Sequence, residues 1–322
     1  MSSPFSTVIE SAQTDASLTL NHTCIRVKDP KVSVPFYTEK LGMTLLGQKD
    51  FPDMKFSLYF LAFPRPDFPK NSEGKVEVFS MPGVLELTHN WGTESDPEFS
   101  VSNGNTEPHR GYGHVCLTTK DIDACCAVFE SKDVTFKKRL VDGRQKDIAF
   151  ILDPDGYWIE VCGYKYDQLD ANTHDLRLNH TMLRIKDPAK SLPFYENVLG
   201  MRVLEKSVHE NGKFTLYFLA YGALKAGEQK RSTQGLLELT HNWGTESDPD
   251  FAYHNGNDAP QGYGHVCISL DDPEAMCKEI EAKYGDDIKW APKYNQGKMK
   301  GLAFIRDPDN YSIEIVPRAL QL

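Results

Sequence analysis

No stretch of this 322-residue chain approaches the roughly 18 consecutive apolar residues that a membrane-crossing helix needs. Residues 1–17 are polar and lack the basic-then-apolar order of a secretory leader, so the expected location is the cytoplasm and residues 1–17 read as a flexible tail. Basic blocks are missing as well. Thirty-six Lys and Arg stand against 46 Asp and Glu, a net charge of −10, which argues against a nucleic-acid partner. An anionic ligand would have to be held by a local basic pocket. The seven cysteines (Cys24, Cys116, Cys125, Cys126, Cys162, Cys267 and Cys277) are odd in number and contain no C-x-x-C. They disfavour both a disulfide framework and a thiolate zinc site, and fit a reducing compartment. The glycosylation triplets at Asn21 and Asn179 carry little weight without a secretory signal.

What the sequence does contain is itself, twice. LNHTCIRVKDP at Leu20 returns as LNHTMLRIKDP at Leu178, and KFSLYFLAF at Lys55 as KFTLYFLAY at Lys213. LELTHNWGTESDP occurs unchanged at Leu85 and Leu237, and GYGHVC at Gly111 and Gly262. AFILDPDGYWIEV at Ala149 returns as AFIRDPDNYSIEI at Ala303. The chain therefore reads as a first half over 18–166, a polar linker over 167–175 and a second half over 176–322. Each half divides again. A strand over 20–27 is broken by Asp29-Pro30, which opens a helix ending at Leu41-Gly42, and strands follow near 43–49, 55–63 and 84–90. The same order restarts at 112–119. The expected architecture is α+β, four βαβββ modules spanning about 18–100, 101–166, 176–252 and 253–322, each curling around a central space.

Strand side chains alternate, so residues of equal parity face one way. His22, Cys24 and Arg26 share a face; so do Glu86, Thr88 and Asn90, His114 and Cys116, and Trp158, Glu160 and Cys162. The second half repeats the set with His180 and Arg184, Glu238 and Asn242, His265 and Glu314. Each half thus offers two imidazoles and two carboxylates, a nitrogen and oxygen donor set that suits zinc, nickel, iron or cobalt and fits a catalytic rather than a closed structural centre. His89, His241, Trp91 and Trp243 have the wrong parity and read as core groups or supports for the ligands. Arg26 lies four residues from His22, roughly 13 Å along the strand, and Arg110 precedes His114 by the same step. A metal with guanidinium and amide groups a dozen ångströms away suits an extended, anionic ligand.

These motifs, with NGN…P…RGYGHV and DPDGYWIE, resemble eukaryotic glyoxalase I, lactoylglutathione lyase, in its fungal two-domain form within the vicinal-oxygen-chelate superfamily. The resemblance covers nearly the whole chain. It implies isomerisation of the hemithioacetal of methylglyoxal and glutathione to S-lactoylglutathione, with zinc in each of two sites and glutathione as co-substrate. Ni2+, Co2+ and Fe2+ also fit the donors. It further implies that the halves cross-pair. One site (site A) would use His22, Glu86, His265 and Glu314; the other (site B) would use His180, Glu238, His114 and Glu160. Glu160 and Glu314 would move the proton through a metal-stabilised enediolate, with Glu86 and Glu238 opposite them. Substrate contacts would come from Arg26, Asn90, Gln261, Lys298 and Met299 at site A. At site B they would come from Arg184, Asn242, Arg110, Arg144 and Gln145. Gln261 stands where the first half has Arg110, so the sites are not equivalent. Loss of one Arg–carboxylate contact costs about 1.5–3 kcal/mol. Both sites built within one chain imply a monomer with internal pseudo-two-fold symmetry. Two other readings are carried alongside: a non-haem metal dioxygenase of the same fold, disfavoured by the fourth ligand, and a non-catalytic binder of glutathione conjugates.

Overall fold

The computed structural model describes Phe5, residues 18–143, 145–164, 176–222 and 230–322, with only the backbone of Ser232. The expected linker and Arg144 lie outside the described residues, as does the expected tail apart from Phe5. Phe5 is buried, edge-on to the rings of Phe194 and Tyr284 at 5.2 and 5.6 Å, and its carbonyl accepts from Asn197 Nδ2 at 2.6 Å.

Four modules of one design follow each other. The first carries β1 (Thr19–Arg26), β2 (Thr44–Phe51), β3 (Phe56–Ala62) and β4 (Val84–Asn90). The second carries β5 (Tyr112–Thr119), β6 (Phe136–Lys138), β7 (Ile148–Leu152) and β8 (Trp158–Gly163). The third has β9 (Arg177–Ile185), β10 (Arg202–His209), β11 (Phe214–Ala220) and β12 (Leu236–Asn242). The fourth has β13 (Tyr263–Leu270), β14 (Lys289–Trp290), β15 (Ala303–Arg306) and β16 (Ser312–Pro317). One helix follows the first strand of each: α1 (Pro30–Pro35), α2 (Ile122–Ser131), α3 (Pro188–Pro193) and α4 (Pro273–Tyr284).

An aspartate caps every helix. Asp29, Asp121, Asp187 and Asp272 each accept from a backbone N–H in the first turn, which satisfies a donor that would otherwise lack a partner. The single helix expected over 30–41 is shorter and changes pitch. Pro35 has no N–H to give, and the chain widens into a π-turn over Phe36–Lys40, with Leu41 N bonded to Phe36 O at 3.1 Å. Pro193 does the same before Phe194–Val198.

The sheets pair modules from opposite halves. One has the order β14-β15-β16-β13-β1-β4-β3-β2, the other β10-β11-β12-β9-β5-β8-β7-β6. The joint is antiparallel in both, β1 with β13 and β5 with β9. Modules of the same half meet differently, through α1 and the Asp153–Gly156 turn. Asp155 accepts from Lys28 N at 3.1 Å and Ser33 Oγ at 2.9 Å, and Asp153 accepts from Tyr37 Oη at 2.9 Å. Asp307 and Asp309 repeat this with Tyr195, Ser191 and Lys186. The start of β1 and the segment after β16 also meet: Arg318 Nη2 is 3.3 Å from Thr19 Oγ1.

One face of each sheet is apolar. Ile25, Leu85, Leu87, Val266, Ile313 and Ile315 are buried in the main core with Phe36 and Tyr37. Each such side chain contributes about 1.5–3 kcal/mol. Alternation then turns Glu86, His265 and Glu314 to the other face.

Two candidate metal centres and a polar cavity

Register places the donors. In the first sheet Val84, His22, Cys267, Glu314 and Phe304 lie in one row across five strands. Phe60, Glu86, Cys24 and His265 form the adjacent row. Two donors from each row converge. His22 Nε2 lies 3.2 Å from Glu86 Oε2, 3.4 Å from Glu314 Oε2 and 3.2 Å from His265 Nε2. His265 Nε2 lies 3.5 Å from Glu314 Oε2 and 4.0 Å from Glu86 Oε2.

The second sheet repeats the rows with Leu236, His180, Cys116, Glu160 and Phe150, and with Phe218, Glu238, Met182 and His114. His180 Nε2 is 3.0 Å from Glu238 Oε2 and 3.4 Å from Glu160 Oε2, and His114 Nε2 is 3.6 Å from Glu160 Oε2. The donor atoms of all four lie within 4.8 Å of one another. So the structure brings together His22, Glu86, His265 and Glu314, and separately His180, Glu238, His114 and Glu160, each set drawn from both halves.

This donor set fits a divalent ion. Atoms held about 2.1 Å from one ion in tetrahedral or octahedral array are roughly 3.0–3.4 Å apart, close to the separations above. The Nε2 atoms of His114 and His180 are buried with no aligned hydrogen-bond partner, as expected of nitrogens whose lone pairs face a cation site. Charge agrees. Burial pulls His180 down, but Glu160 and Glu238 outweigh it and raise the imidazole to about 9. Burial pushes Glu160 up, yet His114 and His180 hold it well below the usual carboxylate range. Glu314 is held down in the same way by His22 and His265. Against burial, which lowers them, the imidazoles of His22, His180 and His265 are all raised by their carboxylate and thiol neighbours, and at these positions a bound cation would compete with the proton.

The imidazoles are oriented from behind by residues that the sequence reading passed over. Asn21 Oδ1 is 2.7 Å from His22 Nδ1, and Asn179 Oδ1 is 2.7 Å from His180 Nδ1. Both asparagines are buried to 1% exposure, so the triplets are internal clamps and not glycosylation acceptors. The bond assigns the N–H to Nδ1 and leaves Nε2 as the donor. A signal was available, since Asn precedes His in both copies. Thr88 and Thr240 support Glu86 and Glu238 at 3.0 and 3.1 Å. Thiols are closer to the centres than the donor inventory implied: Cys267 groups with His22 and Glu314, and Cys116 and Cys162 with Glu160.

The remaining candidates separate. A cavity of about 480 Å3 opens on the second cluster, lined by Arg110, Arg184, Asn242 and Gln145 together with His180, Glu160 and Glu238. Burial and then the nearby Arg110 lower the Arg184 pKa, and Arg110 itself pairs with Glu107 at 3.3 Å. Arg184 is already engaged, donating to Gly104 O, Gly111 O and Tyr112 O at 3.0–3.2 Å and to Asn105 Oδ1 at 2.8 Å. Arg26 makes the matching bonds to Gly256, Gly262, Tyr263 and Asn257. Both arginines clamp the loop ahead of the partner module, a role that strand parity did not reveal.

Asn242 Nδ2 donates to Tyr253 Oη at 2.8 Å, while Asn90 ends β4 half-buried. Gln261 donates to Asn257 O at 3.0 Å, Lys298 is exposed, and Met299 packs into an apolar cluster with Phe60, Phe79 and Cys267 beside His22. His89 and His241 support no ligand. They pair with Glu94 and Glu246 at 2.8 and 2.7 Å. Trp91 is 42% exposed, so it is not a core group; its Nε1 donates to Ser57 Oγ at 2.8 Å.

Two repeats of a four-donor centre on crossed βαβββ sheets define a class, and the sequence assigns it. Residues 19–161 and 177–315 each match the profile of the glyoxalase/bleomycin resistance protein/dioxygenase superfamily, and the chain belongs to that family. Within it the chain is 60% identical to glyoxalase I of Saccharomyces cerevisiae, over 97% of this chain and 96% of that protein. It is 50% identical to lactoylglutathione lyase of Schizosaccharomyces pombe, over 92% and 95% of the two chains. The crystal structure of glyoxalase I from Zea mays superposes with a TM-score of 0.71 at 26% identity, covering 94% of this chain and 93% of that one. The tandem α+β architecture is therefore that of the family. No helix among the described residues is long and apolar enough to cross a membrane.

Proposed function

We propose that the chain is a lactoylglutathione lyase with two sites, converting the hemithioacetal of methylglyoxal and glutathione to S-lactoylglutathione. The observation that carries this is the pair of His2Glu2 clusters, each made of strands from both halves, in a chain 60% identical over nearly its whole length to a glyoxalase I. His22, Glu86, His265 and Glu314 would hold one divalent ion, and His180, Glu238, His114 and Glu160 a second. Zinc is the first candidate, with Ni2+, Co2+ and Fe2+ accepted by the same donors. A bound ion supplies a Lewis acid that polarises the substrate carbonyl and lowers the barrier to loss of the neighbouring proton.

The chain's own groups do the rest. Glu160 at one site and Glu314 at the other accept the proton from the hemithioacetal carbon and return it to the adjacent carbon, so no net proton is gained or lost. Their carboxylates are ionised at neutral pH, because neighbouring imidazoles outweigh burial. Glu238 and Glu86 face them and serve the opposite hemithioacetal configuration. Arg110 and Arg184 line the cavity beyond the second cluster and receive the carboxylates of glutathione. Arg26, with Asn90 and Gln261, stands at the corresponding end of the first. The proposed working unit is a monomer, since both sites would be completed within one chain, and the seven cysteines without a C-x-x-C pair fit a reducing compartment such as the cytoplasm.

The test is formation of thioester absorbance from methylglyoxal and glutathione. Rapid turnover that disappears on chelation and returns with zinc is expected. A folded, metal-loaded protein that forms no thioester would overturn the proposal, and oxygen uptake or binding of glutathione conjugates would then be measured.

A further inference from the structure

The two halves differ in chemical character at one turn, and each copy of that turn lies beside one centre. Val78–Ser80 and Lys230–Ser232 are copies of a single 3-10 turn. The same anchor holds each: Asn21 Nδ2 donates to Val78 O and Met81 O, and Asn179 Nδ2 to Lys230 O and Thr233 O. The turn in one copy carries Val78, Phe79 and Met81. Its counterpart carries Lys230, Arg231 and Thr233.

The surroundings have diverged in step. Phe79 stands edge-on to His22 with ring centroids 6.0 Å apart, and it clusters with Phe60, Met299, Leu302, Leu320 and Leu322. Leu322 closes on Gly47, where an added Cβ would meet its Cδ1 at 2.5 Å. In the other copy Gly47 is replaced by Glu205 and Met299 by Gln145, and both line the cavity with Lys230, Arg231 and Ser207. Lys230 Nζ lies 3.5 Å from the centroid of Phe218, the ring that is edge-on to His180 at 5.5 Å. It also bonds Glu205 Oε1 at 2.7 Å, and Arg231 bonds Asp147 Oδ2 at 3.1 Å and Gly163 O at 2.8 Å. The end of the second site away from Arg110 and Arg184 is thus a mosaic of donors and acceptors. The corresponding end of the first is hydrocarbon.

We propose that the two sites divide 2-oxoaldehydes between them. The site around Glu160 takes those with a hydroxylated substituent, and the site around Glu314 takes those with an apolar one. This rests on the lyase reading above. Hydroxyls both donate and accept, so they can insert between paired groups such as Lys230 and Glu205 without leaving either charge alone. A second anion on the substituent would have to displace a carboxylate already bound to each cation. An aryl or alkyl substituent would leave the mosaic desolvated and unmatched, whereas Phe79 and Met299 offer it contact area.

Single-site chains decide the matter. Glu314→Gln leaves the Glu160 site working, and Glu160→Gln leaves the Glu314 site. Each is assayed with the glutathione hemithioacetals of methylglyoxal, phenylglyoxal and a polyhydroxylated 2-oxoaldehyde of the hexosone type. The hexosone-to-phenylglyoxal ratio of kcat/KM is expected to be at least about tenfold higher at the Glu160 site. Adding Lys230→Val and Arg231→Phe to that chain should carry its ratio toward that of the other site, and Val78→Lys with Phe79→Arg should do the reverse. Should a turn variant lose turnover, calorimetric binding of S-benzyl and S-polyhydroxyalkyl glutathione reads the same ratio. Equal ratios at two sites that both turn over methylglyoxal would overturn the division of substrates. Absence of methylglyoxal turnover in the unsubstituted chain would instead overturn the lyase reading.

Discussion

Crossed assembly makes a sharp demand on double variants. Glu86 and Glu160 belong to one half of the sequence but to different clusters; Glu86 and Glu314 belong to different halves but to one cluster, both within 3.4 Å of His22 Nε2. A Glu→Gln change at either position removes a charged donor, or a proton acceptor whose loss slows turnover by about 10^2–10^4, equivalent to about 2.7–5.5 kcal/mol of barrier. The affected site should fall below about 1% of its own rate. Glu314→Gln alone then leaves the share of activity that belongs to the second site. Adding Glu86→Gln should change that share little, because it strikes a site already silent. Adding Glu160→Gln should take the total below about 1%. Metal content gives an independent count: the Glu86/Glu314 double variant should keep about one ion per chain, and the Glu86/Glu160 variant should weaken both sites. If instead Glu86→Gln/Glu160→Gln kept a full site's turnover and Glu86→Gln/Glu314→Gln kept none, each site would lie within one half and the argument from the sheets would fail.

Further expectations follow from single residues. Asn21→Ala frees His22 Nδ1, and metal affinity at that centre should drop by about 10–100-fold in a competitive chelator titration while the second centre is unchanged. Cys116→Ala and Cys162→Ala should keep most turnover, since burial raises the Cys116 thiol, and at Cys162 the hydrogen bond with Cys116 lowers the thiol but burial and Glu160 outweigh it, so both stay protonated at neutral pH; a collapse of kcat would reinstate a nucleophilic role. Tyr37→Phe removes the hydroxyl that donates to buried Asp153, and denaturant unfolding should report a loss of about 1–3 kcal/mol. Burial lifts Asp153 to about 7, above its value in an unfolded chain. The folded state therefore holds that proton more tightly, and the stability tied to it is full at low pH and lost as pH rises through about 7. Asp153→Asn should flatten that part of the stability profile, and an unchanged slope would count against it.

Much of this was legible in the sequence, for definite reasons. Duplication located the modules, because neighbours such as LELTHNWGTESDP keep their order when a domain is copied. Parity singled out the eight side chains that cluster, because a strand has only two faces. Parity says nothing about which strand lies alongside. That β1 joins β13 and not β5 depends on pairs such as Thr19 with Ser269 and Ile25 with Tyr263, far apart in the sequence, and only family resemblance anticipated it. The same blindness affected Arg26 and Arg184. Strand parity set them on a ligand's face, yet most of their donors go to carbonyls of a loop that register alone brings near. Asn21 and Asn179 were passed over because a polar residue beside a ligand in a strand points to the opposite face unless the backbone bends. β1 has such an irregularity between Leu20 and His22 in its pairing with β13. The Pro35 and Pro193 π-turns are local events that the proline positions could have signalled.

The contact between Thr19 and Arg318 bears on how the order of modules matters. The start of β1 and the segment after β16 are adjacent, so a short bridge replacing residues 1–17 could join them and the break could be moved to the polar segment after residue 164. Such a permuted chain would run third module, fourth, first, second. Every strand would keep its neighbours, and each centre would still draw two donors from either side of the new junction. What the fold requires is a cycle of four modules, and where that cycle is cut is free to vary.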